Sequence, residues 1–365
     1  MKKIYHAIGL MSGSSLDGLD IAHCRFEMEQ NSVATWQLLR AETADFSEAW
    51  KERLAKLPGE TAFEFARTHV HFGGYLGELV NQFLAAGHEK LPVDFIASHG
   101  HTIFHAPDQH FTSQIGDGAA LAAITCYPVI CDFRSSDVAL GGQGAPLAPL
   151  ADKVLFPGFD FYLNLGGIAN ITCNAGGKHV AFDVGGANQI LNALARQLGK
   201  PFDWDGELAA SGNFQALLFE KLNRFDYFAE AYPKSLSNQW VQENLVKTCL
   251  ETAGKVEDKL HTFCHHLAFQ LQHSISQVIE RENFRKGNYR MFVTGGGGLN
   301  GFLMQCIREH CSGVEVVLPE GEIIKFKEAL LMALLGALRM EGAANCISTV
   351  TGAKRDAIGG AVYLP

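Results

Sequence analysis

Apolar stretches interrupted by glycine-rich turns organise the chain. Residues 4–10 are apolar, residues 11–18 (MSGSSLDG) are turn-rich, and residues 19–27 alternate, which predicts strand, tight glycine turn, strand. Apolar positions at helical spacing predict a helix over 62–86, followed by a strand over 94–98 that runs into His99 and Gly100. Residues 115–118 and 129–132 predict two further short strands. The second enters a polar, glycine-rich segment, 133–145, that marks a passage between domains, so the expected division is 1–135 and 136–365.

The second half repeats this order. Residues 161–165, the turn GGIAN and residues 171–174 predict another glycine-turned hairpin, and a strand over 179–182 runs into Asp183. Residues 289–294 predict a strand that ends in four glycines, Gly295 to Gly298, before a helix start over 299–304. The halves match in element order rather than in residues, which points to an old duplication. The expected fold class is α/β, with two actin-like (ribonuclease H-like) ATPase domains, each presenting a glycine turn to an interdomain cleft.

Composition narrows the partners. At 365 residues the chain exceeds the roughly 250 to 300 at which single cores stop growing, which again favours two domains. Thirty Lys+Arg against 39 Asp+Glu give a net charge of -9, with no basic cluster longer than a pair, so no nucleic-acid partner is expected. The longest apolar run, around 329–338, is about half the ~20 residues of a membrane-spanning helix, and no export leader is expected at the start. Nine scattered cysteines without a CxxC pair suit reduced thiols in the cytoplasm. The neighbours Cys264, His265 and His266, and the pair Cys306 and Cys311, lack a second ligand pair at zinc-site spacing and read as ordinary positions.

Four features carry candidate chemistry. The turn Gly13, Ser14, Ser15, Leu16, Asp17, Gly18 has small residues through which backbone N–H groups reach phosphate oxygens, with Asp17 a candidate to hold a water of Mg²⁺. A plain hairpin turn fits that segment equally well taken alone. Leu163 to Asn170 (LNLGGIAN) supplies a second such turn at Gly166 and Gly167, and two glycine hairpins can clamp a triphosphate. The bare backbone of Gly295, Gly296 and Gly297 suits a flat base and ribose, with the following helix N-terminus favouring an anion; a surface loop is the rival reading. Asp183 stands where ligands meet open α/β sheets and suits a general base, although a helix cap fits the same junction.

Other polar positions read two ways. His99, His101 and His105 in SHGHTIFH suit structural hydrogen bonds as well as catalysis. Arg134 and Asp137, before GGQGAP, suit either a substrate carboxylate or a brace for the hinge. Glu328 begins an apolar helix, where the helix dipole alone favours an acid.

Taken together, GLMSGSSLDGLD, ASHGHTIFH, QIGDGAALA, DFRSSDVALGGQGAPL, LNLGGIANIT, FDVGGAN, DWDGELAASG, VTGGGGLNG and NCISTVTGA resemble the anhydro-N-acetylmuramic acid kinases, in order and along nearly the whole chain. That resemblance implies an actin-like ATPase fold and use of ATP with Mg²⁺. The implied reaction opens the 1,6-anhydro ring of 1,6-anhydro-N-acetylmuramic acid with water and phosphorylates O6, giving N-acetylmuramic acid 6-phosphate. It makes Asp183 the base and Gly13 to Asp20, including Leu19, the ATP segment, with Gly166, Gly167 and Gly295 to Gly297 beside phosphate and nucleoside. Sugar contacts are expected at Arg134, Glu328, His99 and Thr102, and a homodimer is expected from the family. Ser14 stands where Thr is common, and Val184 and Gly186 where Thr and Pro are frequent, but neither departure removes a reacting group. The rivals are another amino-sugar kinase acting on a free hydroxyl, and a nucleotide-switched binding protein with an appended partner-binding domain or a polymerising surface; the span of the motifs leads us to expect no such domain.

Overall fold

A computed structural model describes residues 2–13, 16, 18–87, 91–175 and 178–365. Among them the chain runs β1 (Lys3–Ser12), β2 (Gly18–Glu29), β3 (Ser32–Asp45), α1 (Ala62–Ala86), β4 (Phe95–Ala106), β5 (Phe111–Ile115), α2 (Gly118–Thr125), β6 (Val129–Cys131), α3 (Ala148–Leu155), β7 (Phe161–Leu165), β8 (Ile168–Ala175), β9 (Lys178–Gly186), α4 (Asn188–Arg196), α5 (Val256–Arg281), β10 (Tyr289–Thr294), α6 (Gly301–His310), β11 (Val314–Val317), α7 (Gly321–Met340) and β12 (Ala361–Tyr363), with further short helices between. Two compact units result, one of Met1–Pro157 with Phe326–Pro365 and one of Gly158–Lys325. The boundary expected after residue 135 falls inside the first unit, and the last forty residues rejoin that unit rather than the second.

The first unit is a mixed sheet ordered β12-β6-β4-β1-β2-β3, with β5 paired to β4. Strands β1 and β2 pair antiparallel from Lys3 opposite Met28 to Ser12 opposite Leu19, while β4 lies parallel to β1 and β6 parallel to β4. Helix α1 starts where Thr61 accepts the N–H of Glu64, the Thr-x-x-Glu arrangement of a capping box. Its Phe72, Leu76, Leu79, Val80 and Phe83, at helical spacing, join Ile8, Leu10, Leu19, Ile21 and Ile96 in the core. Because β4 runs on to Ala106, His99 lies within a strand rather than at its end.

The second unit has the order β11-β10-β7-β8-β9. Again the first two strands and the second and third pair antiparallel, and the fourth and fifth add in parallel beside the first. Both sheets therefore share one plan, an antiparallel meander extended by parallel strands on its first strand, in agreement with the α/β duplication read from the sequence. Helix α5 buries Leu260, Phe263, Leu267, Leu271 and Val278 in the second core. The nine cysteines are all free thiols. Among the described residues no helix is long and apolar enough to cross a membrane.

Two glycines test the packing of the first unit. A Cβ on Gly9 of β1 would run into the backbone of Ala329 and Ala333 on α7, whereas one on Gly74 of α1 meets nothing within 4 Å. Backbone cannot move aside as a flexible side chain can, so Gly9→Ala is expected to destabilise the protein by about 3 kcal/mol. Gly74→Ala should instead raise stability by about 0.5 to 1 kcal/mol through helix propensity. Thermal denaturation of both variants beside the parent checks this, and equal midpoints would refute the close approach of α7 to β1.

Candidate functional site

Asp183 sits near the end of β9, within the strand. Across from it, Ile168 pairs with Gly186 and Ala169 with Gly185, but Asn170 pairs with Asp183, so Val184 is an extra residue that β8 does not match. Such a bulge bends its strand and re-aims a neighbouring side chain. The capping alternative for Asp183 fails, because the cap of α4 is Ala187. Burial pushes the Asp183 carboxyl above the usual aspartate range, and a hydrogen bond from the Leu236 N–H at 2.8 Å to Oδ2 opposes that push. A carboxyl raised in this way is more basic than a free one, which suits proton abstraction.

The glycine elements of the second unit lie near one another. Gly166 and Gly167 turn β7 into β8, and their carbonyls accept the N–H groups of Asn188 (3.1 Å), Ala187 (2.9 Å) and Gln189 (3.3 Å), which fastens the turn to the start of α4. Gly295 has φ 84°, a left-handed conformation open to glycine, and a Cβ there would lie 2.7 Å from Asn164 Oδ1 and from Leu165. Asn188 donates from Nδ2 to the Leu165 carbonyl at 2.9 Å, tying α4 to the end of β7. Beside Gly296 opens a cavity of about 600 Å³ whose walls include Phe202, Trp204, Leu191, Leu299 and Asn192. The rings of Phe202 and Trp204 lie 5.8 Å apart at 34°, and Trp204 is 71% exposed. The expectation that the next helix N-terminus serves an anion meets a competitor: Asn300 Oδ1 takes the Leu303 N–H at 2.9 Å and Asp205 takes that of Gly301 at 3.0 Å.

In the first unit, Ser14, Ser15 and Asp17 lie outside the described residues. Of the same hairpin, Leu16 has φ 61° and Gly18 leaves no space for a side chain, since a Cβ would stand 2.5 Å from the Ala44 carbonyl oxygen. Leu19 is core, and Asp20 Oδ1 accepts the Thr43 hydroxyl at 2.7 Å. At the entry to the turn, buried Ser12 Oγ lies 3.0 Å from His101 Nδ1, across the β1–β4 register. Among the described residues no group of three His, Cys, Asp or Glu forms a metal site.

Three of the four residues expected to contact sugar are brought together. Arg134 Nε donates to His99 Nε2 at 3.0 Å, so His99 must carry its proton on Nδ1, which donates to the Gly100 carbonyl at 3.0 Å. Burial, then the Arg134 charge, lowers the His99 pKa to about 4, so it is a neutral acceptor. Packing around the Glu328 carboxyl, then the Asp20 charge, push its pKa up, while Arg134 and Lys327 pull it down. Thr102, on β4, instead accepts from Gln114 Nε2 at 3.3 Å on the exposed surface. Arg134 also donates to the Gly144 carbonyl at 2.9 Å, so it braces the glycine segment as well. Asp137 is wholly buried and holds the Gly144 N–H (2.8 Å) and the Thr351 hydroxyl (2.7 Å), a structural role.

Sequence reasoning missed the partners of these residues. Leu236 and Tyr227, whose hydroxyl donates to the Asp183 carbonyl at 2.6 Å, lie in a stretch with no motif. Trp204 was visible only as one letter of DWDGELAASG, and its exposure and pairing with Phe202 emerge only in the fold.

Residues 5–365 match the family described as Anhydro-N-acetylmuramic acid kinase. A protein of that name from Shewanella amazonensis is 34% identical over 98% of this chain and 98% of its own length. Another, from Paramagnetospirillum magneticum, is 35% identical over 98% of this chain and 99% of its own. Among solved structures, component A of the (R)-2-hydroxyglutaryl-CoA dehydratase of Acidaminococcus fermentans is 12% identical, covering 93% of this chain and 99% of that one at TM-score 0.41, a likeness too distant to bear on function. By the match over almost its full length and the identity with these relatives, the chain belongs to the anhydro-N-acetylmuramic acid kinase family.

Proposed function

We propose that this chain is an ATP-dependent kinase of 1,6-anhydro-N-acetylmuramic acid that opens the anhydro ring with water and phosphorylates O6 in one event. The observation that carries the ring-opening part is Asp183, a half-buried carboxylate on a bulged strand, raised above the usual range and held by a backbone donor. As general base it accepts a proton from water while the water oxygen bonds to the anomeric carbon. The bond from that carbon to O6 breaks, and O6 bonds to the γ-phosphorus as the bond to the ADP oxygen breaks. An inverting glycosidase pairs its base with an acid at the leaving oxygen; here the phosphoryl group takes the electrons that a proton would take.

The other residues bind and orient. Gly13 to Asp20 and the Gly166–Gly167 turn receive phosphate, and the cavity beside Gly296 receives the nucleoside, with Trp204 as the surface on which a base stacks. Arg134 and Glu328 are the sugar-facing pair, the cation being suited to the substrate carboxylate, while buried His99, with both ring nitrogens engaged, orients Arg134 rather than contacting the sugar. Mg²⁺ bound with ATP would neutralise charge on the phosphates, and Asp17 and Asp20 of this segment are the carboxylates that would hold it or its waters. A cytoplasmic homodimer completes this reading. A kinase acting on a free hydroxyl would use the same carboxylate on that hydroxyl, so the support for the anhydro sugar over that rival comes from the family match.

Asp183→Asn is expected to lower kcat by about 10² to 10⁴-fold with ATP affinity unchanged, measured by product formation and by nucleotide titration. Because only the ionised carboxylate accepts a proton and its pKa is raised, parent activity should fall with acidification from a pH above the ordinary aspartate range. An Asp183→Asn enzyme with parent turnover would remove the base from the account. Trp204→Ala should raise KM for ATP by about 10-fold and leave KM for the sugar alone, in keeping with the stacking contribution of one base. Unchanged ATP kinetics would move the nucleoside elsewhere.

A further inference from the structure

Asp183 is gripped by a segment of the second unit that the reaction as described does not use. Its N–H donates to the Lys234 carbonyl at 3.1 Å, its Oδ2 accepts from Leu236 N–H at 2.8 Å, and its carbonyl accepts from the Tyr227 hydroxyl at 2.6 Å. Donor, acceptor and side chain of one residue are thus all satisfied from residues 227–236. Lys234 closes the circuit, since its Nζ donates to the Tyr227 carbonyl at 2.9 Å and stands 4.5 Å above the centre of the Tyr227 ring. Tyr227 is buried, with Phe228 and Trp240 at ring distances of 5.6 and 5.4 Å.

This wrapping matters because a bulge leaves local ladder bonds unmade. With Val184 unmatched and β9 at the edge of its sheet, Asp183 turns its N–H and carbonyl away from β8. The bonds from Lys234 and Tyr227 supply the restraint there, and the restraint keeps Oδ2 on the Leu236 N–H. We propose that Tyr227, backed by Lys234, is a positioning residue that holds the Asp183 carboxylate on the Leu236 amide and so keeps it ready to accept a proton from water. The inference rests on the reading of Asp183 as the base.

The ionisable groups that face this circuit are few. Burial, then Asp183 and Glu230, drive the Tyr227 hydroxyl far above its ordinary value, so it stays protonated and donates. Burial lowers the Lys234 pKa and Glu230 opposes that. On Asp183 the causes are burial, which raises it, and the Leu236 N–H, which lowers it. Loss of the tyrosine hydroxyl leaves the Asp183 carbonyl without its donor, loosens the bulge and weakens the Leu236 bond. Less opposition to burial then means a still higher carboxyl pKa.

The test is the pH dependence of kcat for the whole protein with Mg-ATP and 1,6-anhydro-N-acetylmuramic acid, for the parent, Tyr227→Phe, Lys234→Met and Asp183→Asn. In Tyr227→Phe we expect kcat to fall about 10-fold at neutral pH with both KM values unchanged, as for a group that acts only on the reacting step. Its acid limb should move to higher pH, and that of Lys234→Met less far in the same direction. An acid limb that stays at the parent pH in Tyr227→Phe overturns the proposal, whatever happens to kcat. Should Tyr227→Phe not fold, the limb of Lys234→Met decides in the same way. Asp183→Asn separates the two readings: inactive Asp183→Asn with an unmoved limb in Tyr227→Phe removes only the positioning role, whereas active Asp183→Asn removes the base and the inference with it.

Discussion

Val184, the one residue of β9 that β8 does not match, sets the geometry on which the surroundings of Asp183 depend. Because β9 is the edge strand of its sheet, alternate residues turn their amide groups away from β8, and the bulge decides which ones do. At Asp183 the N–H goes to Lys234, the carbonyl to Tyr227 and the carboxylate to Leu236. Burial raises the carboxyl and one amide restrains the rise. The opposition of these two effects suits the base role proposed for Asp183, since burial without a donor would favour the neutral acid more strongly.

The rest of the fold supplies two sheets of one plan, each with a glycine turn after its first strand. In both, glycine appears where backbone meets backbone: Gly9 under α7, Gly18 against Ala44 and Gly295 against Leu165. The first unit adds a polar cluster in which neutral His99 orients Arg134, and Arg134 in turn offsets the charge of Glu328. These arrangements position side chains with little freedom, and such positioning, together with neutralised phosphate charge, carries most of the acceleration in phosphoryl transfer.

The hairpins, the strand into Gly295 and the helix over 62–86 were legible in the sequence because alternation, helical spacing and glycine turns are local signals. The class of the fold and the family followed from the order of those elements and strings. Asp183 was legible as an acid at a strand end, but the continuation of β9 to Gly186 was not, because a bulge preserves pairing without leaving a pattern. The compact units differ from the division read from the sequence for a similar reason. Phe326–Pro365 rejoin the first unit through contacts such as α7 over Gly9, more than three hundred residues away along the chain. Tyr227, Leu236 and Asp205 act through single long-range hydrogen bonds, which no periodicity announces.

The coupling of ring opening to phosphorylation is the central claim, and the fate of the water oxygen tests it most directly. With Mg-ATP and 1,6-anhydro-N-acetylmuramic acid in oxygen-18 water, mass spectrometry should find one heavy oxygen at the anomeric hydroxyl of a 6-phosphate product when the sample is quenched before that position exchanges with solvent, and with ATP withheld it should find the anhydro ring still closed. A 6-phosphate whose anomeric hydroxyl carries no solvent oxygen, ring opening to N-acetylmuramic acid without ATP, or phosphorylation of N-acetylmuramic acid with no product from the anhydro sugar, would contradict it.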